Sequence, residues 1–308
     1  SPGAPFDLSP DNQNSTSWAV FGDANYDLTE RWQVGVGLRY FEDDREFFDG
    51  AATQAGTFDS TSPRVYINVD VTDDIKAYAS VAKGFRSGGF NTLGRPAFDP
   101  ETIWSYELGT KMSLLDGRVN AEFAAFYSDY SNFQTFGILP PPAPPQLITS
   151  NAGDAEIKGV DISFKWQAME GLVLGLNGNY VDSEVVEINV LTGSHIVGDE
   201  LDFVSSYSIA LSATQDFEWD GKPGFVRLDY NEQDRMLLTD RRRGVFGTSD
   251  VIHMLNLAME WQLNENISMG IFGKNLLDED GYIDPGLTFG GASRPRPRTM
   301  GLQLGLDF

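Results

Sequence analysis

The chain contains no cysteine among its 308 residues. That excludes a disulfide-stapled secreted domain and any thiolate metal site, and it is compatible with a route through an oxidising periplasm. No stretch approaches the ~20 uninterrupted apolar residues of a membrane-spanning helix, so a helical membrane protein is excluded as well. Basic residues are scarce: 22 Lys and Arg stand against 45 Asp and Glu, for a net charge of −23. Such a field repels a phosphate backbone, and no nucleic acid is expected as a partner. Histidine occurs twice, as His195 and His253, without the spacing of a metal site, so no metal and no cofactor are expected. No nucleophile elbow of the Gly-x-Ser-x-Gly form is present, and no catalytic residues can be assembled; the chain does not read as an enzyme. Ser1 to Pro10 has neither a basic start nor an apolar core, so a mature protein or a fragment is expected.

What is there is a period of two in hydrophobicity, repeated over many segments of about ten residues. Trp32, Val34, Val36, Leu38 and Tyr40 form one face of such a segment, and Gln33, Gly35, Gly37 and Arg39 the other. Val65, Ile67, Val69 and Val71 alternate with Arg64, Tyr66, Asn68 and Asp70, and Val160, Ile162, Phe164 and Trp166 with Asp161, Ser163 and Lys165. The last segment sets Met300, Leu302, Leu304, Leu306 and Phe308 against Gly301, Gln303, Gly305 and Asp307. Roughly thirteen segments fit this template, and helical periodicity is nowhere sustained.

Their connections alternate between short polar turns, such as 29–31, 72–74, 116–117, 170–171 and 264–266, and long loops near 42–60, 88–100, 133–150, 185–200, 237–249 and 283–293. Outer-membrane barrels have this asymmetry, whereas a soluble sandwich has no reason for it. On the outward register, Trp32, Trp166 and Trp261 lie beside short turns and Trp104, Tyr40, Tyr180 and Tyr207 toward long loops, as two interfacial belts require. Glu107, Lys111, Asn120, Glu122, Asp161, Lys165, Asn177 and Asn179 would face the other way, into a wet lumen. The apolar face then looks at lipid, where an open sheet edge would leave backbone groups without partners, so closure is expected. The expected fold is all-β, a transmembrane antiparallel up-and-down β-barrel.

Specific strings add to this pattern. YASVAKGFRSGGFN (Tyr78 to Asn91), WSYELGTKMSLLDGRVNAEFAAFYSDY within 101–130, NAGDAEIKGVDISFKW (Asn151 to Trp166), GKNLLDEDGY (Gly273 to Tyr282) and the ending RPRTMGLQLGLDF follow one another in order. Together they resemble the barrel of TonB-dependent receptors over almost the whole chain. The resemblance implies a barrel of about twenty-two strands with an amino-terminal plug. This chain is then the carboxy-terminal portion of one such barrel, with the plug and the earlier strands missing. It further implies residence in the bacterial outer membrane and uptake of a scarce nutrient, foremost a ferric siderophore. Its partners would be membrane lipids and lipopolysaccharide, a ferric chelate or other small ligand, the TonB complex acting through the missing amino-terminal part, and the barrel assembly machinery. Leu304, Leu306 and Phe308 resemble the carboxy-terminal assembly signal. A passive diffusion porin and a soluble carbohydrate-binding β protein are the alternative functions.

For substrate contact the candidates are Arg86 and Asn91, at the mouth of one strand, and Arg241, Arg242 and Arg243, the only run of three consecutive basic residues in an acidic chain. Guanidinium groups make bidentate bonds to carboxylates and phosphates, which suits an anionic chelate or a lipopolysaccharide phosphate. The acidic segments Glu42-Asp43-Asp44 and Asp278-Glu279-Asp280 are candidates for divalent cations bridging lipopolysaccharide. The proline run from Pro140 to Pro145 cannot donate to a ladder and belongs to an outside loop.

Overall fold

The computed structural model describes residues 12–48, 50, 52–92, 95–138, 147–189, 195–240, 245–284 and 292–306. The proline run, Arg241, Arg242, Arg243 and Phe308 lie outside the described residues. The strands are β1 (Asn12–Asp27), β2 (Trp32–Phe48), β3 (Thr53–Asp70), β4 (Ile75–Arg86), β5 (Glu101–Leu114), β6 (Val119–Ile138), β7 (Leu147–Met169) and β8 (Leu172–Ile188). They continue as β9 (Tyr207–Trp219), β10 (Lys222–Gln233), β11 (Leu237–Asp240), β12 (Val245–Thr248), β13 (Ile252–Asn264), β14 (Ile267–Lys274) and β15 (Thr299–Leu306). Thirteen of them form one sheet in chain order, all neighbours antiparallel, while β11 and β12 make a separate hairpin between β10 and β13. This is the up-and-down meander that the alternation predicts, and among the described residues no helix occurs.

Register makes the two faces continuous. Across one row Val36 pairs Val65, Val65 pairs Val81, Val81 pairs Tyr106 and Tyr106 pairs Tyr127. At the far end Val226 pairs Met259, Met259 pairs Ile271 and Ile271 pairs Leu302. These side chains are not a core: Val36 is 56% and Leu302 78% exposed. Cross-strand packing leaves Val34 and Ile162, on the same face, half-buried. The opposite row is polar, as Lys111 pairs Glu122, Glu122 pairs Ser163 and Ser163 pairs Asn177. Because a one-residue slip would exchange the faces, each of these pairings is held by the need to keep apolar groups in lipid.

All six tryptophans lie on the apolar face, in two belts. Trp32, Trp166 and the stacked pair Trp219 and Trp261 (centroids 5.0 Å apart) mark the short-turn end. Trp18 against Tyr40 (5.3 Å), Trp104, Tyr106 against Tyr127 (6.1 Å), Tyr180 and Tyr207 mark the other. From Trp32 to Tyr40 the chain rises about 26 Å, or about 20 Å across the bilayer at the usual strand tilt.

Six short connections share one end, at 28–31, 71–74, 115–118, 170–171, 220–221 and 265–266. Asp220-Gly221, with φ of 55° and 71°, has the two left-handed residues of a type I′ hairpin, whose twist matches the strands it joins. The long-loop end departs from expectation in one respect. Residues 42–48 and 53–60 are not loop: β2 and β3 stay paired out to Phe48 and Thr53, a ribbon standing beyond the Tyr40 belt. Likewise 133–138 and 147–150 are strand. The apolar alternation stops where lipid stops, whereas the backbone ladder continues into water.

Inside the sheet, aromatic side chains lie across glycines of the next strand. Tyr66 covers Gly35 and Tyr78 covers Gly109; a Cβ at either glycine would fall within 2.5 Å of the ring. Glycine here supplies room for an aromatic side chain on the wet face.

Candidate functional site

The site is built at the long-loop end, where residues 87–92 and 95–100, between β4 and β5, fold back over the polar face of the sheet. This segment closes on itself through Gly89 and Phe98, whose N–H groups each donate to the other's carbonyl at 2.9 Å. The Gly88-Gly89 pair is required by close approach, since a Cβ on Gly88 would lie 2.4 Å from the Phe58 ring and 2.5 Å from the Phe98 carbonyl. The strap is pinned on both sides. Toward β2 and β3, Ser87 Oγ donates to Asp43 (3.0 Å), Gln54 Nε2 donates to the Asn91 carbonyl (2.7 Å), and Phe58 packs on Phe90 at 5.9 Å. Toward β6 and β7, Gln134 Nε2 donates to the carbonyls of Ser87 and Asp99, and Asn151 both donates to the Asp99 carbonyl and accepts from its N–H.

Asp43 is the hub of the near side. It is 2% exposed, yet its carboxylate accepts from Ser15 Oγ on β1 (2.5 Å), Arg45 Nε (2.6 Å) and Ser87 Oγ. Burial is the largest single influence and pushes its pKa up; the hydrogen bonds from Ser15, Arg45 and Ser87, with the Arg45 charge, outweigh it and hold the carboxyl below its ordinary value of 3.8. A depressed carboxylate contributes stability above the unfolded value and loses it as pH falls through the folded one. The strap is therefore expected to stay docked from neutral pH down past 3.8 and to loosen only in stronger acid. Amide exchange of residues 87–92 and 95–100 against pH checks this; loosening already near pH ~5 would contradict it.

Arg86 and Asn91 sit at this strap, and the chain already uses them. Arg86 Nη2 donates to Glu101 Oε2 (2.7 Å) and to the Gln134 carbonyl (3.1 Å). Asn91 Nδ2 donates to the carbonyls of Pro96 and Thr149, while its Oδ1 accepts from Thr149 N. Arg86 keeps 58% of its side chain exposed, whereas the Asn91 amide is engaged at both ends. Leu304 and Leu306 lie outward on β15, opposite Met269 and Ile267.

The acidic segments are also used within the chain. Glu42 accepts from Trp18 Nε1 and Tyr40 Oη, and Asp44 from Thr57 Oγ1. Asp278 pairs with Arg298, and Glu279 accepts from the N–H groups of His253 and Gly281. Among the described residues no group of three or more His, Cys, Asp or Glu is arranged to hold a metal. Sequence reasoning missed the hub role of Asp43, because the polar residues after Phe41 read as a loop. It also missed Gln134 and Asn151, for which no local signal exists. Asn275, 1% exposed at φ 51°, was missed too; it accepts from Glu279 N, donates to the carbonyls of Glu279 and Arg296, and so seats the loop after β14.

Below the strap the concave wall carries Tyr78, Glu107, Glu122, Asp161, Asn177 and Asn179. Lys111 pairs with Glu122 at 3.3 Å, Ser163 Oγ donates to Asn177 Oδ1, and Asn179 Oδ1 accepts from the backbone and hydroxyl of Ser208. Such a surface stays hydrated and offers exchangeable hydrogen bonds rather than a fixed reactive geometry.

A family model described as "TonB dependent receptor-like, beta-barrel" matches residues 1–276. The pesticin receptor of Yersinia pestis is 26% identical over 332 aligned positions, which cover all of this chain and 46% of that protein. The metal-pseudopaline receptor of Pseudomonas aeruginosa is 30% identical over 181 positions, covering 56% of this chain and 25% of that one. Among solved structures, the ferric yersiniabactin uptake receptor from Yersinia pestis superposes with a TM-score of 0.80 at 23% identity, over 97% of this chain and 46% of that chain. The chain thus spans less than half the length of the relatives it matches.

Proposed function

This chain belongs to the TonB-dependent receptor β-barrel family, whose barrels are integral to the outer membrane, and from that premise we propose that it is the carboxy-terminal part of an active transporter. The remaining strands and a plug precede its thirteen strands in the whole protein. The transporter takes up a ferric siderophore or a related anionic metal chelate and is energised through TonB, which acts on the amino-terminal part. The observation that carries this reading is the wet mouth, roofed by a pinned strap, inside a sheet whose other face is apolar from belt to belt. Family members are transport receptors; the metal-pseudopaline receptor and the ferric yersiniabactin uptake receptor are named for metal chelates, and the pesticin receptor for pesticin.

In this reading Arg241, Arg242 and Arg243, carried between β11 and β12, draw the anionic ligand to the mouth, and the exposed part of Arg86 meets it there. Asn91 acts indirectly, by holding the strap. Leu304 and Leu306 on β15, with Phe308 after them, are the strand that the assembly machinery captures by backbone pairing. Both belts contact lipid, the long-loop one against lipopolysaccharide.

Uptake of labelled ferric chelates by cells expressing the full-length gene tests the function. Uptake should require TonB; uptake that persists without TonB would favour a porin instead. Replacing all three arginines 241–243 by glutamine is expected to weaken binding of an anionic chelate about tenfold, at roughly 0.5 kcal/mol for each charge removed. Equilibrium binding at two salt concentrations checks it, since the loss should shrink at high salt.

A further inference from the structure

The loop of residues 195–206, ahead of β9, contains a buried ionisable pair that the transport reading does not use. His195 has 2% of its side chain exposed, and its Nε2 lies 3.3 Å from Asp202 Oδ2. Neither ring nitrogen has a hydrogen-bond partner among the described residues, and Asp202 Oδ1 is likewise buried and unpartnered. The imidazole stands edge-on to Phe133 of β6, with centroids 6.1 Å apart. Phe133 belongs to the small dry cluster with Ala152, Ala155 and Val185 that Leu201 of the same loop helps cover.

The loop is seated on the part of β8 that β9 leaves unpaired. Gly198 N donates to the Val185 carbonyl, Val185 N to the Asp199 carbonyl and Leu201 N to Ser183 Oγ. Beyond it, Phe203 N donates to the Leu237 carbonyl at the base of the β11–β12 hairpin. The seat therefore links three elements of the mouth.

Charge singles out His195. Strands β6 and β8 and residues 195–206 contain no lysine or arginine. The ionisable groups of 130–138, 152–155, 183–188 and 195–206 besides His195 are Tyr130, Asp154, Glu184, Glu187, Asp199, Glu200 and Asp202, and adjoining segments bring the cations Arg86, which donates to the Gln134 carbonyl, and Arg235, beside the Met236 that pairs with Ser205. Asp154 accepts from Asn132 N and Asp199 from Ile196 N, while Asp202 stands within ion-pairing distance of the ring. Imidazole changes its charge between about pH 5 and 8 in ordinary surroundings. With a second proton it becomes a double donor, able to satisfy the buried carboxylate; without one the pair keeps buried groups that have no partner among the described residues.

We propose that His195 and Asp202 form a proton-operated latch that holds residues 195–206 on Phe133 and β8. Protonated, the imidazole pairs with Asp202 and the loop is seated. As pH rises the proton leaves, the pair weakens, and the loop opens more often together with its contact to the β11–β12 hairpin.

Amide exchange of residues 196–206 in the full-length receptor, corrected for the intrinsic pH effect, tests the latch at about pH 5.5 and about pH 8. Protection should fall about fivefold to tenfold between the two, the difference between a charge-assisted bond and a neutral one. His195→Gln and Asp202→Asn should each make protection independent of pH, with the barrel's resistance to unfolding in cold detergent showing that the sheet is intact. Equal protection of the unsubstituted receptor at both pH values would overturn the proposal, and so would pH dependence that survives in Asp202→Asn.

Discussion

Arginine in place of Leu302 is expected to cost the folded barrel about 2–4 kcal/mol, while arginine in place of its neighbour Gln303 costs less than about 1 kcal/mol. The two residues are adjacent on β15 and both are exposed, so burial by protein cannot separate them. They differ in face. Leu302 pairs with Ile271 in the apolar row that continues through Met259 and Val226, and Gln303 pairs with Gly270 on the wet side. A guanidinium at position 302 must leave water for hydrocarbon or drag water in with it, whereas at 303 it remains hydrated. Reversible unfolding of the full-length barrel from lipid vesicles measures both costs.

Asp43→Ala is expected to raise the rate of local opening of residues 87–92 and 95–100 about a hundredfold, equivalent to about 3 kcal/mol. The substitution removes a buried acceptor that serves Ser15, Arg45 and Ser87 at once, and it leaves the Arg45 charge without its carboxylate. Arg45 keeps about a quarter of its side chain in water, which places the cost at the low end of that for a broken buried pair. Asp43→Asn should cost less, because an amide oxygen still accepts. Amide exchange of the strap reads the effect directly, with the belts and the strand ladders unchanged as the internal control. A strap that exchanges equally in Asp43→Ala and the unsubstituted protein would show that the β6–β7 pins alone hold it.

Much of this fold is legible in the sequence because a lipid-exposed sheet imposes one rule on every strand. Val34, Val36 and Leu38 alternate with Gln33, Gly35 and Gly37, and the observed pairing puts the two sets on opposite faces. Trp32, Trp166 and Trp261 could be set beside short turns from position alone. The rule fails where lipid ends: Asp43, Asp44 and Arg45 read as loop because they are polar, yet each has a ladder partner on β3. Arg86 and Asn91 were found as members of a recognisable string, but their partners Gln134 and Thr149 lie 48 and 58 residues away, and no local pattern announces contacts at that range. The His195–Asp202 pair stayed hidden for the same reason, since its significance depends on Phe133 from another strand.

One face of the sheet meets lipid and the other meets water. This chain has no cysteine of its own, and single cysteines carrying a spin label can be placed in turn at residues 32 to 34 and 36 to 40 of β2 in the full-length receptor in vesicles, leaving Gly35 to the Tyr66 ring. Collision with oxygen, which concentrates in lipid, should peak at 34, 36 and 38, and collision with a water-soluble nickel chelate should peak at 33, 37 and 39. Labels at all eight positions that are equally shielded from both probes would show that neither face meets lipid or water.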